Sequence, residues 1–251
     1  MEGCPVAVAL AVCAVACAGV VGFGLIDRRT TGEDAMPTAH TLRLSLCLLA
    51  ASPMSSTIAQ ETTFFVTSAG PGKGGDLGGI EGADRHCAML AEKARLPATG
   101  WRAYLSTQVM PPEVPVHARD RIGAGPWHNA KGVRIAESVA ALHGAENVIS
   151  RTTALDERGE PVPGKVHDIL TGTRLDGTAP SPLDPDSTCR NWTSASDEGG
   201  TLVGHHDRVS AIDQPWARSW NAAHLSRGCS VPKLAELGSG GLFYCFRTMT
   251  E

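Results

Sequence analysis

Apolar positions along the chain fall into two regimes. Near the amino terminus they are contiguous: residues 6–26 contain no charged side chain, and a second apolar run, residues 44–51, follows Arg43. From Thr62 onward they are periodic, as in a globular domain. Thr63, Phe64, Phe65, Val66 and Thr67 are β-branched or aromatic and predict a first strand, closed by the breaker-rich stretch 70–75. Ile80, Ala83, Cys87, Leu90, Ala91 and Ala94 recur at helical spacing. Glu81 and Asp84 lie near the start of that segment and Lys93 and Arg95 near its end, as a helix dipole prefers. A helix with Cys87 on its buried face is expected there. Residues 100–106 alternate and predict another strand.

Farther along, residues 125–129 around Trp127 suit a short strand or turn. Val133, Ile135, Ala136, Val139, Ala140 and Leu142 suggest a second, short helix begun by Ser138 or Glu137. Residues 147–187 are dominated by proline and glycine and promise little regular structure. Residues 189–194 look like a strand, 204–208 are polar, and 241–246 form a strongly apolar closing strand. No internal repeat is visible. The order of these elements predicts an α+β domain with a mixed antiparallel sheet, two helices and long loops.

The amino-terminal runs read as targeting segments. Residues 36–59 have the three parts of a signal peptide: Met36, Arg43 ahead of a short apolar stretch, and small residues up to Ala59. Residues 1–35 then read as a start-site artefact, with translation beginning at Met36, or as a membrane anchor. The expected organisation is an export leader over 1–59 and one domain over 60–251, placed outside the cell, in the periplasm or on the envelope.

Composition narrows the class. Hydrophobic residues make 42% and charged residues 19% of the 251, well within the globular range. The formal charge is −4, and no basic run exceeds the pair Arg28 and Arg29, so the footprint of a nucleic-acid binder is missing. Aromatics are only 5%, while glycine (28) and proline (16) are abundant, so something besides burial is expected to stabilise the fold. Past the leader four cysteines remain, Cys87, Cys189, Cys229 and Cys245. An even number in an exported domain reads as two disulfides, and a zinc site is the alternative, although no two of the four have short zinc-module spacing.

The segments 83–87, 100–106, 189–193, 220–229 and 242–246 together resemble the endostatin-like branch of the C-type lectin-like fold, which includes bacterial lectin-like proteins and leptospiral endostatin-like surface proteins. The resemblance covers about 62–246. It implies a C-type lectin-like domain in which Cys87 pairs with Cys245 and Cys189 with Cys229. It also implies a lectin-like binding protein, not an enzyme, whose partner is a glycan or an extracellular protein, with possible membrane attachment through the leader.

Calcium-dependent sugar binding needs hard oxygen ligands and a Trp-Asn-Asp motif. Here Trp220 and Asn221 are followed by Ala222, and Gln214 and Pro215 by Trp216, so the acidic ligand is missing. Sugar can still stack on an exposed aromatic face, for which Trp216 and the Trp127 loop are candidates, with Trp220 assigned to the core. The binding site is expected within 204–224, carried by His205, His206, Asp207, Trp216, Asn221 and His224. His205, His206, Asp207 and His224 could alternatively assemble a metal site, Ca or Zn being the options, or serve as structural polar residues. Neighbours on a strand point to opposite faces, so His205 and His206 should not share an ion. His167 and Asp168 read as a turn, a catalytic pair being the alternative. No serine-nucleophile elbow, His-Glu-x-x-His motif or free cysteine nucleophile occurs, which speaks against an enzyme, and a metal-dependent hydrolase using the His/Asp cluster is the competing function.

Overall fold

The computed structural model describes residues 61–111 and 114–248, so the export-leader expectations for 1–59 lie outside the described residues. Chain order is β1 (Phe64–Val66), α1 (Gly79–Lys93), β2 (Trp101–Ala103), α2 (Ala118–Arg121), β3 (Trp127–His128), β4 (Arg134–Ala136) and α3 (Val139–His143). Then follow β5 (Asp168–Leu170), α4 (Cys189–Trp192), β6 (Leu202–His205), a 3₁₀ turn (Trp216–Arg218), β7 (His224–Leu225), α5 (Val231–Ala235) and β8 (Ser239–Arg247). The domain is therefore α+β with a mixed sheet.

The apolar closing segment becomes the longest strand, β8, and the sheet is built around it. β1 lies antiparallel on one edge, with Phe65 opposite Cys245. β2 lies antiparallel to the same stretch, with Arg102 opposite Phe246, and must therefore occupy the other edge. Beside the first half of β8 runs β5, parallel to it, with Asp168 opposite Ser239. β6 and β7 then extend the sheet antiparallel, giving the order β1-β8-β5-β6-β7. β3 and β4 form a separate ribbon.

Alternate side chains of β8 enter two cores, because successive strand residues point to opposite faces. Leu242, Tyr244 and Phe246 join Phe64, Tyr104, Trp127 and Trp220 on one face. Phe243 and Cys245 join Phe65, Trp101, Trp192 and the apolar stripe of α1 on the other. Both faces are covered, which is why this strand reads as continuously apolar rather than alternating. The few aromatics are concentrated here: among the described residues every Phe, Tyr and Trp except Trp216 is buried.

Two disulfides link Cys87 to Cys245 and Cys189 to Cys229, with Cα separations of 5.8 and 5.6 Å. The first ties α1 to β8; the second ties α4 to the loop before α5. They fit an oxidising compartment. Among the described residues no helix is long and apolar enough to cross a membrane.

Several local expectations are corrected. Residues 189–194 are not a strand: Cys189, Arg190, Asn191 and Trp192 all have φ between 48° and 67°, a single left-handed turn. Non-glycine residues avoid this region at about 1–2 kcal/mol each, so tertiary contacts must hold it. The Asp186 carboxylate accepts from Arg190 N (2.8 Å), Asn191 exchanges hydrogen bonds with the Gln108 backbone, and the Trp192 indole donates to Ser106 O (2.8 Å). The amphipathic run 133–142 splits into β4 and α3, the break falling where Ser138 caps α3 through Ala141 N. Asp168 opens a strand rather than sitting in a turn, and β5 interrupts the supposedly irregular 147–187. The helices number more than two, with α2, α4 and α5 each a turn or so long.

Candidate functional site

Three neighbouring strands bring their chemistry to one end of the sheet. Register places Asp168 of β5 directly opposite His205 of β6, and His224 of β7 opposite Val203. His167, one residue ahead of β5, completes the group. Two glycines make the approach possible. A Cβ on Gly204 would lie 1.8 Å from Trp220 O, so only glycine lets the 219–221 segment close against β6, where His205 N donates to Ser219 O (2.8 Å). A Cβ on Gly238, whose φ is +92°, would meet the His167 ring at 3.0 Å.

Asp168 Oδ1 is the centre of the cluster. It lies 3.2 Å from His205 Nε2, 3.3 Å from His167 Nε2 and 3.5 Å from His224 Nε2. Asp168 and His205 are buried, whereas the His167 and His224 side chains are 27% and 31% exposed. Despite these distances, among the described residues neither Asp168 oxygen and neither His205 ring nitrogen has a hydrogen-bond partner. The contacts are close but lie off the donor axes. Burial works against the Asp168 charge, but the facing His205 and His224 imidazoles outweigh it and hold the carboxyl below its usual range. His224 is raised, chiefly by Asp168.

Further contacts orient two of the rings. His224 Nδ1 lies 3.1 Å from Leu225 O, and His167 Nδ1 lies 3.6 Å from Asp207 Oδ1. Asp207 itself accepts from Val209 N (3.0 Å) and Arg151 (3.2 Å). His206, in the turn just past β6, is not part of the group, and burial pushes it down to about 4.

Of the expected site residues, then, His205 and His224 meet around Asp168, Asp207 lies beside His167, and His206 is a buried neighbour outside the group. Asn221 is in the core: its Nδ2 donates to Tyr104 Oη (3.0 Å), Arg174 O (3.1 Å) and Leu175 O (3.2 Å), and its Oδ1 accepts from Ser219 (2.8 Å). With that amide consumed, and Ala222 supplying no carboxylate, the Trp-Asn segment does not fit a calcium ion. Trp127 is buried and offers no stacking face. Trp220 is in the core, as expected. Asp168 and His167 were underweighted in the sequence, and their signal was the His-Asp pair itself.

Trp216 differs from every other described aromatic by being 47% exposed. Carried by the 3₁₀ turn, it borders two cavities. One, of about 670 Å³, is shared with Ile212, His224, Leu225, Arg227 and Lys233; the other, of about 340 Å³, with Leu175, Arg208 and Asn221. His224 thus faces the Asp168 cluster and the larger cavity at once.

No protein-family model matches the chain, and no curated protein matches it.

Proposed function

We propose that the chain is an exported, lectin-like binding protein with the endostatin-like form of the C-type lectin-like fold, recognising carbohydrate at the cavity beside Trp216. The fold assignment is supported by the two disulfide pairings together with the helix-then-sheet order closed by an apolar strand. The observation that carries the function is Trp216. A half-exposed indole beside a cavity stands out in a domain that buries all its other described aromatics, and it is the kind of surface on which a sugar ring stacks. Arg227, Lys233, Glu236 and His224 supply hydrogen-bonding groups at the same cavity, the mixture of apolar wall and few polar groups usual for small ligands. A glycan array with the secreted domain tests the reading. Trp216→Ala should weaken binding of the retained glycans by at least about tenfold, equivalent to about 1.4 kcal/mol, with an unchanged melting temperature. A silent array, or a variant that binds as the parent does, overturns it.

A further inference from the structure

From the arrangement around Asp168 we infer a zinc-class metal site formed by His167, Asp168, His205 and His224, binding one divalent transition ion in a tetrahedral shell of three imidazole nitrogens and one carboxylate oxygen. The inference is independent of the carbohydrate reading and does not use Trp216.

Three observations carry it. First, the spacing is that of ligands rather than of hydrogen-bonded pairs. Donor atoms bonded to zinc at 2.0–2.1 Å in a tetrahedron stand about 3.3 Å from one another, and the three imidazole nitrogens lie 3.2, 3.3 and 3.5 Å from Asp168 Oδ1. Ligand atoms of His167, Asp168 and His205 all fall within 4.8 Å of each other; His224 is near Asp168 Oδ1 but outside that mutual spacing, and its ring must swing in as the fourth ligand when the ion binds. Second, the buried carboxylate and the buried His205 ring are unpartnered although each faces the other. Unsatisfied buried polar atoms are expensive, and a cation placed between the two side chains satisfies Asp168 Oδ1 and His205 Nε2 together.

Third, the far nitrogens are anchored as in metal-ligating histidines. Nδ1 of His224 can donate to Leu225 O, which leaves Nε2, on the Asp168 side, with a free lone pair, and the Asp207 carboxylate lies 3.6 Å from Nδ1 of His167. A carboxylate or carbonyl on the distal nitrogen fixes tautomer and ring orientation in such sites. Nitrogen donors in this number select zinc, cobalt or nickel over calcium or magnesium. The ion would clamp β5, β6 and β7 and fix the wall of the Trp216 cavity through His224.

The test uses untagged protein stripped with EDTA and then titrated with Co²⁺ alone. One equivalent should bind with the intense visible bands of tetrahedral cobalt, and Zn²⁺ should displace it. At a hundredfold excess over Kd, Zn²⁺ should raise the melting temperature by about 5–10 °C, whereas Ca²⁺ should not. Asp168→Asn keeps the shape and His224→Gln changes a partly exposed edge-strand residue, so at least one should fold. Each folded variant should lose the cobalt spectrum, while His86→Gln, on α1, should retain it. No uptake by the parent protein, an octahedral spectrum, or a tetrahedral spectrum that survives in a folded Asp168→Asn or His224→Gln variant would overturn the site and leave the cluster an imidazolium–carboxylate group.

Discussion

Asn221 shows how one side chain can carry the sequence signature of a ligand and do structural work. It follows a tryptophan, as the asparagine of a sugar-binding motif does, but Trp220 packs on Tyr104 and Tyr244 with centroids 4.8 and 5.2 Å away and draws the amide inward. There it heads a buried chain: Asn221 donates to Tyr104 Oη, the hydroxyl lies 2.7 Å from His143 Nε2, and His143 Nδ1 lies 2.8 Å from Val139 O. Burial pushes the Tyr104 hydroxyl well above its usual range and His143 below its own, so both stay neutral. Asn221→Ala would leave the Arg174 and Leu175 carbonyls without their amide donor. It should therefore cost about 2–3 kcal/mol in urea unfolding. A loss under about 0.5 kcal/mol would show that the amide is not structural. Nothing in sequence distinguishes an inward from an outward asparagine, because the decision rests on aromatics that reach Trp220 from elsewhere in the chain, Tyr104 from more than a hundred residues away.

At the scale of elements, legibility followed the range of the forces that form them. α1 and β8 were visible because helical spacing and a continuous apolar run are local patterns. β5 was not, since three residues in a proline-rich stretch become a strand only by pairing with β6 and β8. α4 was misread for a related reason. Its Cys-Arg-Asn-Trp composition suits a strand, and its left-handed turn is imposed by a disulfide and by Asp186 and Gln108. The adjacent histidines part company at the end of β6, where His205 is the last strand residue and His206 the first of the turn. His206 is buried, and burial lowers it to about 4. In the unfolded chain the ring takes its proton near 6.5, but in the fold it does not until about 4. Its contribution is therefore complete above 6.5, declines as pH falls, and is lost by about 4, a span worth about 3 kcal/mol. Other histidines titrate in the same window, so the measurement is a difference. In EDTA, His206→Gln should flatten the fall of melting temperature between pH 6.5 and 4 relative to the parent protein, and parallel curves would refute this role.

For the molecule as a whole, the two disulfides play unequal parts. The cysteine pattern and the compartment suggested both bonds, but only the structure shows what each one holds. Cys87–Cys245 closes 158 positions and lies inside the core between α1 and β8, where both sulfurs are buried. By chain entropy it is worth about 5 kcal/mol, and losing it also disturbs the packing of Phe65, Phe243 and Trp101 around it. Cys189–Cys229 closes 40 positions, about 4 kcal/mol by the same reasoning, but it anchors the left-handed turn. Gly75 N donates to Cys229 O at 2.7 Å, and a Cβ on Gly75 would come within 2.6 Å of Cys189 Sγ, so this bond also fixes the loop that follows β1. Replacing Cys87 and Cys245 together by Ala should lower global stability and leave one cooperative transition or none. Replacing Cys189 and Cys229 by Ala should instead release the turn locally, because the positive φ values lose the contact that sustains them. Limited proteolysis should then cut within 181–200 under conditions where the sheet, followed by hydrogen exchange in β8, remains protected. Simultaneous loss of β8 protection in the second variant would show that the turn and the sheet unfold as one unit.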